Sequence, residues 1–341
     1  MSRRRPTMHD VARAAGVSPA TVSRVVNDER YIRAQTRAAV EQAIADLGYQ
    51  RNESARALRD GQATDTIALV IEDVANPFWS AITGGAEEVA RRHRHMLVVG
   101  STRHSPDRER DLLRDLVLRR RVDGVLVVPT AQPQHDLHAE LSRWAPIVFI
   151  DREPAGLAAD AVLLDNQGGA RRAVEYLIGR GHRRIGYIGG DPTVTTGAKR
   201  LAGYRQALKS AGLPAEPPLI RLNVHTTADA HRAAAELIRR PGADAVFADN
   251  NRMAVGVLHA VHEHGGPVGV AAFDDVELAA LLTQPVTLVT YDAAALGAHA
   301  AELLFARING ADGPPRRSVH RTTLVTRGGQ TTEPGEQTEQ S

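Results

Sequence analysis

Apolar positions recur with two different periods along the chain, and the change of period divides it. Over roughly the first fifty residues the spacing is helical. Thr7-Met8-His9-Asp10 has the Ser/Thr-x-x-Asp/Glu form of a helix start, with Thr7 as cap and Asp10 placing negative charge in the first turn. Val11, Ala12, Ala14 and Ala15 follow, and Gly16 supplies a stop. Ser18 and Pro19 then open a second helix, with Val22, Val25 and Val26 on one face and Thr21, Ser23 and Arg24 largely on the other. A third helix over about 34–47 places Ala39, Val40, Ala43, Ile44 and Leu47 on an apolar face and ends at Gly48. The turn Ala15-Gly16-Val17 is too short for antiparallel packing of the first two helices, which predicts a helix-turn-helix closed by the third.

Beyond the polar joint Gln62-Ala63-Thr64-Asp65, short Val- and Ile-rich runs alternate with longer helical patterns. Strands are predicted at Ile67–Ile71, Met96–Val99, Gly124–Val128, Ile147–Ile150, Val162–Leu164, Ile185–Ile188, Ala245–Ala248, Val268–Phe273 and Val286–Tyr291. Helices are predicted between them, among others at Trp79–Arg92, Pro106–Arg120, Ala170–Arg180, Leu201–Ala211 and Thr227–Arg239. Continuous apolar runs suit strands covered on both faces. Alternation of strand and helix implies parallel sheets with right-handed crossovers, and there are too many strands for one small sheet. The expected fold is α/β: a helix-turn-helix head before a two-lobed body of parallel sheets.

Charge sharpens this division. The chain of 341 residues carries a net charge of +2, made up of +4 in the first 60 residues and −2 in the rest. A small basic head on a slightly acidic body suggests nucleic-acid binding. The absence of Cys removes disulfide scaffolds, thiolate metal sites and Cys nucleophiles. No run reaches the ~18 apolar residues of a membrane span, and the N-terminus lacks the apolar stretch of a secretory signal. A cytoplasmic protein without membrane contact is expected.

In a helix-turn-helix the start of the second helix faces base edges in the major groove. Pro19, Ala20, Thr21 and Ser23 are small enough for close approach, and Arg24 is the long donor suited to a guanine edge or a phosphate. A generic three-helix bundle has the same spacing. The residues themselves are more specific: Asp10-Val11-Ala12-x-x-Ala15-Gly16-Val17-Ser18-x-x-Thr21-Val22-Ser23-Arg24-Val25-Val26-Asn27 resembles the signature of LacI-type (lac repressor family) transcriptional regulators.

The resemblance runs to about Thr326 and is carried in the body by Asn76-Pro77-Phe78, Arg121-Val122-Asp123-Gly124, Phe149-Ile150-Asp151-Arg152, Gly181-His182-Arg183-Arg184-Ile185, Arg200-Leu201-Ala202-Gly203-Tyr204 and Phe273-Asp274-Asp275. It implies DNA contacts from Thr7, Ser18, Pro19, Ala20, Thr21, Ser23, Arg24 and Asn27. It also implies a hinge helix in 52–60, where Leu58 would wedge into the minor groove between Arg56 and Arg59. Read without the resemblance, 52–62 is a linker with a short helix.

The body is similar to periplasmic sugar-binding proteins, so a small-molecule effector, a sugar or sugar derivative, is expected between the lobes. Asn76, Asp151, Arg200, Asn250 and Asp274 would grip its polar groups and Phe78 would supply an apolar wall. Strand carboxyl ends, where such ligands sit, are indeed polar here. Three departures put the effector class in doubt. A common Asn-Asp pair reads Asn250-Asn251, Tyr291 stands for a frequent Gln, and Ala271-Ala272-Phe273 stands for Val-Gly-aromatic. In the head, Pro19 and Ala20 stand where larger base-reading residues are common, and Arg33 stands where an N-cap is usual.

The implied domains are 1–50 (DNA-binding), 51–62 (hinge and linker), 63–328 (effector-binding and dimerisation body) and 329–341 (disordered tail). Within the body the N-lobe is assigned to about 63–162 and 292–328 and the C-lobe to about 163–291. The segment after Thr326 lacks the apolar heptads of a tetramerising coiled coil, so a homodimer on a pseudo-palindromic operator is expected. Repression released by an inducer is the family default that the resemblance implies, with co-repression as the alternative.

No P-loop, dinucleotide fingerprint, HExxH or Gly-x-Ser-x-Gly motif is present. No enzyme activity and no cofactor are therefore expected. His259, His262 and His264 cluster near a helix end, but solvated histidines are common there, and no metal site is expected. A sugar-binding protein without a DNA role is the competing class, and the head signature argues against it.

Overall fold

A computed structural model describes residues 6–27, 31–49, 63–154, 156–240 and 242–329. It separates into two compact units, residues 1–64 and 65–341. The proposed hinge residues Arg56, Leu58 and Arg59, and the tail from 330, lie outside the described residues.

The head holds α1 (Met8–Ala14), α2 (Pro19–Val26) and α3 (Ala34–Leu47). Thr7 and Asp10 form a reciprocal capping box: the Asp10 carboxylate accepts from the Thr7 N–H at 2.9 Å and from its hydroxyl at 2.6 Å. The Ser18 hydroxyl accepts from the Thr21 N–H at 3.1 Å. Gly16 turns the chain at φ +66°, where an L side chain is costly. Val11, Val22 and Val40 are fully buried, with Ala12, Val25 and Ala43 beside them. One expectation fails: Ala39 and Leu47 are exposed. For Leu47 the reason is a Schellman turn, in which Gly48 adopts φ +61° and the Tyr49 N–H reaches the Ile44 carbonyl at 3.0 Å. Tyr49 thereby packs against the core in the place expected of Leu47. Arg33 makes no side-chain cap for α3.

The body contains two six-stranded sheets. The first has the order β11-β5-β4-β3-β1-β2 and the second β12-β10-β9-β8-β6-β7. Their strands are β1 (Thr66–Ile71), β2 (Met96–Ser101), β3 (Gly124–Val127), β4 (Ile147–Ile150), β5 (Asp160–Leu164) and β11 (Arg317–His320), then β6 (Ile185–Ile188), β7 (Ile220–Arg221), β8 (Ala245–Ala248), β9 (Gly269–Phe273), β10 (Val286–Thr290) and β12 (Thr323–Arg327). Every pairing is parallel except β10 with β12. The first five strands of each sheet share the doubly wound order 2-1-3-4-5.

Eight helices of the described body cover the sheets: α4 (Pro77–Arg92), α5 (Pro106–Arg114), α6 (His135–Leu141), α7 (Asn166–Gly179), α8 (Thr195–Ser210), α9 (Thr227–Arg239), α10 (Asn251–His264) and α11 (Ala293–Ile308). Alternate residues of β1 serve opposite layers. Ile67, Leu69 and Ile71 pack with α4 and α11, whereas Ala68 and Val70 pack with α5 and α6. This two-sided burial is why most strands read as unbroken apolar runs. The edge strands β2, β7, β11 and β12 are the exceptions, and in β2 Met96 and Val99 are exposed.

Three expectations need correction. The helix expected to continue to Arg120 changes at Asp115 to a π-helical turn over Asp115–Arg119. Helix α8 begins at Thr195, six residues before the expected start, because its first turn is polar and faces the cleft rather than the core. The tail of the body does not all belong to the N-lobe. Leu164 still lies in the first sheet, and β12 hydrogen-bonds to β10 of the second.

The chain therefore crosses between lobes at Asp165, at Tyr291–Asp292 and at Arg321–Thr322. Asp165 and Asp292 each cap the helix that follows, α7 and α11 respectively. Arg172 ties two of the crossings, donating to Asp165 at 3.2 Å and to the Thr322 carbonyl at 2.9 Å.

Helices α4 and α11 cross at glycines. A Cβ on Gly297 would lie 2.1 Å from the Ile82 carbonyl oxygen, and one on Gly85 would lie 1.9 Å from that of Ala294. Gly297→Ala is expected to destabilise the body by about 1–3 kcal/mol through overpacking, read as a lower urea midpoint by circular dichroism.

Candidate functional site

Both lobes present the carboxyl ends of their strands to one cavity of about 470 Å³. From the first lobe come Glu72 and Asn76 after β1, Thr130 after β3, and Asp151 and Arg152 after β4. From the second come Arg200 on α8, Asp249 and Asn250 after β8, and Asp274 after β9. Asp151 and Asp274 occupy equivalent places. Each follows the fourth strand of its lobe in a left-handed conformation, φ +66° and +73°, and each N–H bonds the next strand, at Val162 and Val289. Non-glycine residues in that region carry strain of order 1 kcal/mol, and such strain concentrates at binding sites.

Arg200 is buried and two of its nitrogens are engaged on the protein side. Its Nε donates to Asn166 Oδ1 at 2.7 Å, one terminal nitrogen donates to the Asp249 carbonyl, and its carbon lies 3.8 Å above the centre of the Phe273 ring. Arg152 is also buried and forms a fork with Glu72, at 2.9 and 3.1 Å. Burial alone would raise the Glu72 carboxyl, but Arg152 and a His104 hydrogen bond bring it down to about 2.

The carboxylates of Asp151 and Asp249 behave oppositely. Burial pushes both up to about 6, against the pull of Arg152 and Arg200 on the first and Arg200 on the second. One oxygen of each is buried with no hydrogen-bond partner. The other oxygen of Asp249 accepts from the Gly190 N–H at 3.2 Å and the Tyr187 hydroxyl at 3.4 Å. Two inward acceptors lacking donors, beside the orphan Thr130 hydroxyl, make a site that would take a ligand rich in hydroxyl donors.

The other expected residues divide. Asp274 accepts from the Tyr291 hydroxyl and from the Asn251 N–H at 3.3 Å. Asn250 lines the cavity while its Oδ1 caps α10 through the Met253 N–H at 3.0 Å. Phe78 lies against the cavity and meets Tyr291 edge-on, with ring centres 5.7 Å apart. Asn76 caps α4 through the Phe78 N–H and also reaches across the cleft. Its Oδ1 accepts from Asn251 at 2.8 Å and its Nδ2 donates back at 3.4 Å. Arg252 of the second lobe pairs with Asp73 of the first.

Asn251, read from the sequence as a missing carboxylate, is thus one half of an inter-lobe clasp. A carboxylate there would turn an acceptor toward the Asn76 oxygen. Arg152 and Asp249 stood out in the sequence only as polar residues directly after a strand, without being assigned as ligand contacts. Glu72, which follows β1 in the same way, was missed.

In the head, Ser18, Ala20, Arg24 and Asn27 are exposed, and Pro19, Thr21 and Ser23 are half-buried. The Ser18 and Thr21 hydroxyls lie 2.9 Å apart, so the cap also fixes the first turn of α2. Thr7 is held in its capping box. The arrangement leaves the polar face of α2 presentable to a groove.

Comparison with known proteins agrees with both units. Residues 7–52 match the family described as bacterial regulatory proteins, lacI family, and residues 174–329 match the periplasmic binding protein-like domain. The HTH-type transcriptional regulator GalR of Salmonella typhimurium is 35% identical over 326 residues, covering 94% of this chain and 95% of that protein. The solved complex of the transcriptional regulator CelR with cellobiose is 33% identical, with a TM-score of 0.70 over 96% of this chain and 100% of that one. The lac repressor dimer bound to operator and an anti-inducer shares the fold at 24% identity, with a TM-score of 0.76 over 96% of this chain and 100% of that one. Those relatives are regulators rather than enzymes, and no helix of the described residues is long and apolar enough to cross a membrane. The chain belongs to the LacI family of bacterial transcriptional regulators.

Proposed function

We propose that the protein is a cytoplasmic repressor that binds a pseudo-palindromic operator as a homodimer and is controlled by a carbohydrate in the inter-lobe cavity. The observation that carries the effector reading is the pair of buried, partnerless carboxylate oxygens on Asp151 and Asp249, one from each lobe. A polyhydroxylated ligand would supply the missing donors and join the lobes. Phe78 would give one sugar face an apolar wall. Arg200, Asn250 and Asp274 would set the orientation and Asn76 the closure. The cellobiose in the CelR structure is a ligand of this chemistry.

On DNA, Pro19, Ala20, Thr21 and Ser23 would lie close to base edges, and Thr7, Ser18 and Asn27 would meet the backbone. Leu58, flanked by Arg56 and Arg59, would wedge at the operator centre. Effector and operator are then linked by one coupling free energy, equal in both directions.

The testing experiment is fluorescence anisotropy of the protein on its own upstream DNA and on a scrambled duplex at about 0.15 M salt. About a thousandfold preference is expected, followed by release on adding the correct sugar; equal, weak binding with every sugar tried would sink the reading. In the same assay Arg24→Ala should cost about 1–3 kcal/mol at one guanine and little on random DNA. Leu58→Ala should weaken operator binding while sparing phosphate-driven binding.

The cavity carries its own pH signature. Because the Asp151 and Asp249 carboxyls stand at about 6 when folded, above their unfolded value near ~3.9, their stabilising contribution is complete below that lower value and disappears as pH rises through 6. Asp151→Asn should flatten the pH dependence of the urea midpoint between about pH 4 and pH 7 and raise ligand-free stability at the upper end. Effector affinity, by contrast, should rise as the two carboxyls ionise, seen by calorimetry at both ends of that range.

A further inference from the structure

Among the His-rich residues at the end of α10, only some meet one another. Helical spacing sets His259 and Glu263 four residues apart on one face, and the packing of α9 against α10 adds His231 to the same spot. The close approach has a cause. Gly256 lies one turn before His259, and a Cβ there would fall 2.7 Å from the His231 backbone nitrogen and 2.4 Å from the Thr227 carbonyl oxygen. The His231 Nε2 lies 2.8 Å from one Glu263 oxygen and the His259 Nε2 lies 3.4 Å from the other, with the two imidazole centres 4.6 Å apart. One donor atom from each of the three residues falls within 4.8 Å of the others.

We propose that His231, His259 and Glu263 form a binding site for a divalent transition metal of the zinc, cobalt and nickel class, clamping α9 to α10. Donors on a tetrahedral zinc stand about 3–3.5 Å apart, and the two His–Glu separations of 2.8 and 3.4 Å are near that spacing. Two neutral imidazoles and a carboxylate are the donor set such ions prefer over calcium or magnesium. The half-exposed setting leaves a fourth position for water. The site lies on the helices of the second lobe, and none of its three residues lines the inter-lobe cavity. Neither His262 nor His264 belongs to the cluster.

The test uses the full-length, tag-free chain after chelator treatment, titrated with Zn²⁺ by calorimetry and with Co²⁺ by visible absorption. One equivalent of saturable binding and the ligand-field bands of a low-coordinate cobalt ion are expected. His231→Gln and His259→Gln should each weaken binding by more than about tenfold, while His262→Gln and His264→Gln leave it unchanged. Glu263→Gln should weaken it too. Circular dichroism of the metal-free variants should match that of the original chain, since the substituted side chains are surface groups. A second group of candidate ligands, Asp65, His95 and Asp123, sits in the first lobe, so His95→Gln is included. Lack of saturable binding would overturn the proposal. So would binding that survives His231→Gln and His259→Gln, or that is lost only with His95→Gln.

Discussion

A guanidinium taken out of water needs acceptors and compensating charge, and the groups around the cavity are arranged about that requirement at Arg200. Asn166 accepts from Nε, the Asp249 carbonyl accepts from a terminal nitrogen, and the Phe273 ring covers one face. Each of these groups stands at or beside a strand end, so the demand of one side chain draws β5, β8 and β9 into a fixed relation. Asn166 comes immediately after a crossing between the lobes, and its own Nδ2 bonds the Leu164 carbonyl at 3.2 Å in the first sheet. The floor of the cavity and the joint between the lobes therefore share a hydrogen-bond chain. That continuity gives a physical route by which a group bound at Arg200 can bias lobe geometry.

The two halves of the cavity solve the problem of buried charge differently. In the first lobe Arg152 and Glu72 neutralise each other and leave Asp151 short of donors. In the second, Arg200 hydrogen-bonds two neutral acceptors, and Asp249 keeps a free oxygen. Above this floor lies a polar clasp of Asp73 with Arg252 and Asn76 with Asn251. Such a partly exposed clasp holds the lobes by modest free energies, which suits the ligand-admitting cleft proposed above.

The fold was legible where burial is two-sided. Strands such as Ile147–Ile150 have every residue buried and announce themselves as apolar runs, while the capping pairs Thr7–Asp10 and Ser18–Thr21 mark helix starts by local chemistry alone. Edge strands β11 and β12 were missed because their residues alternate between exposed and half-buried, and their partners lie far away in the chain. The start of α8 was missed because a helix turn that faces a polar cavity carries no apolar period. Site reading followed the same line. Asp151, Arg200, Asn250 and Asp274 do converge on one cavity. Asn251 could be understood only once Asn76, 175 residues away in sequence, was seen opposite it.

The last strands have a consequence for how the body can be taken apart. Strand β11 closes an edge of the first sheet and β12, three residues later, closes an edge of the second. Neither lobe is a contiguous stretch of sequence, so no single cut yields two intact halves. A premature stop only a few codons before Arg317 would strip an edge from both lobes at once and expose unpaired backbone on each. A frameshift just upstream of Arg317 should therefore damage both lobes of the body together rather than one alone.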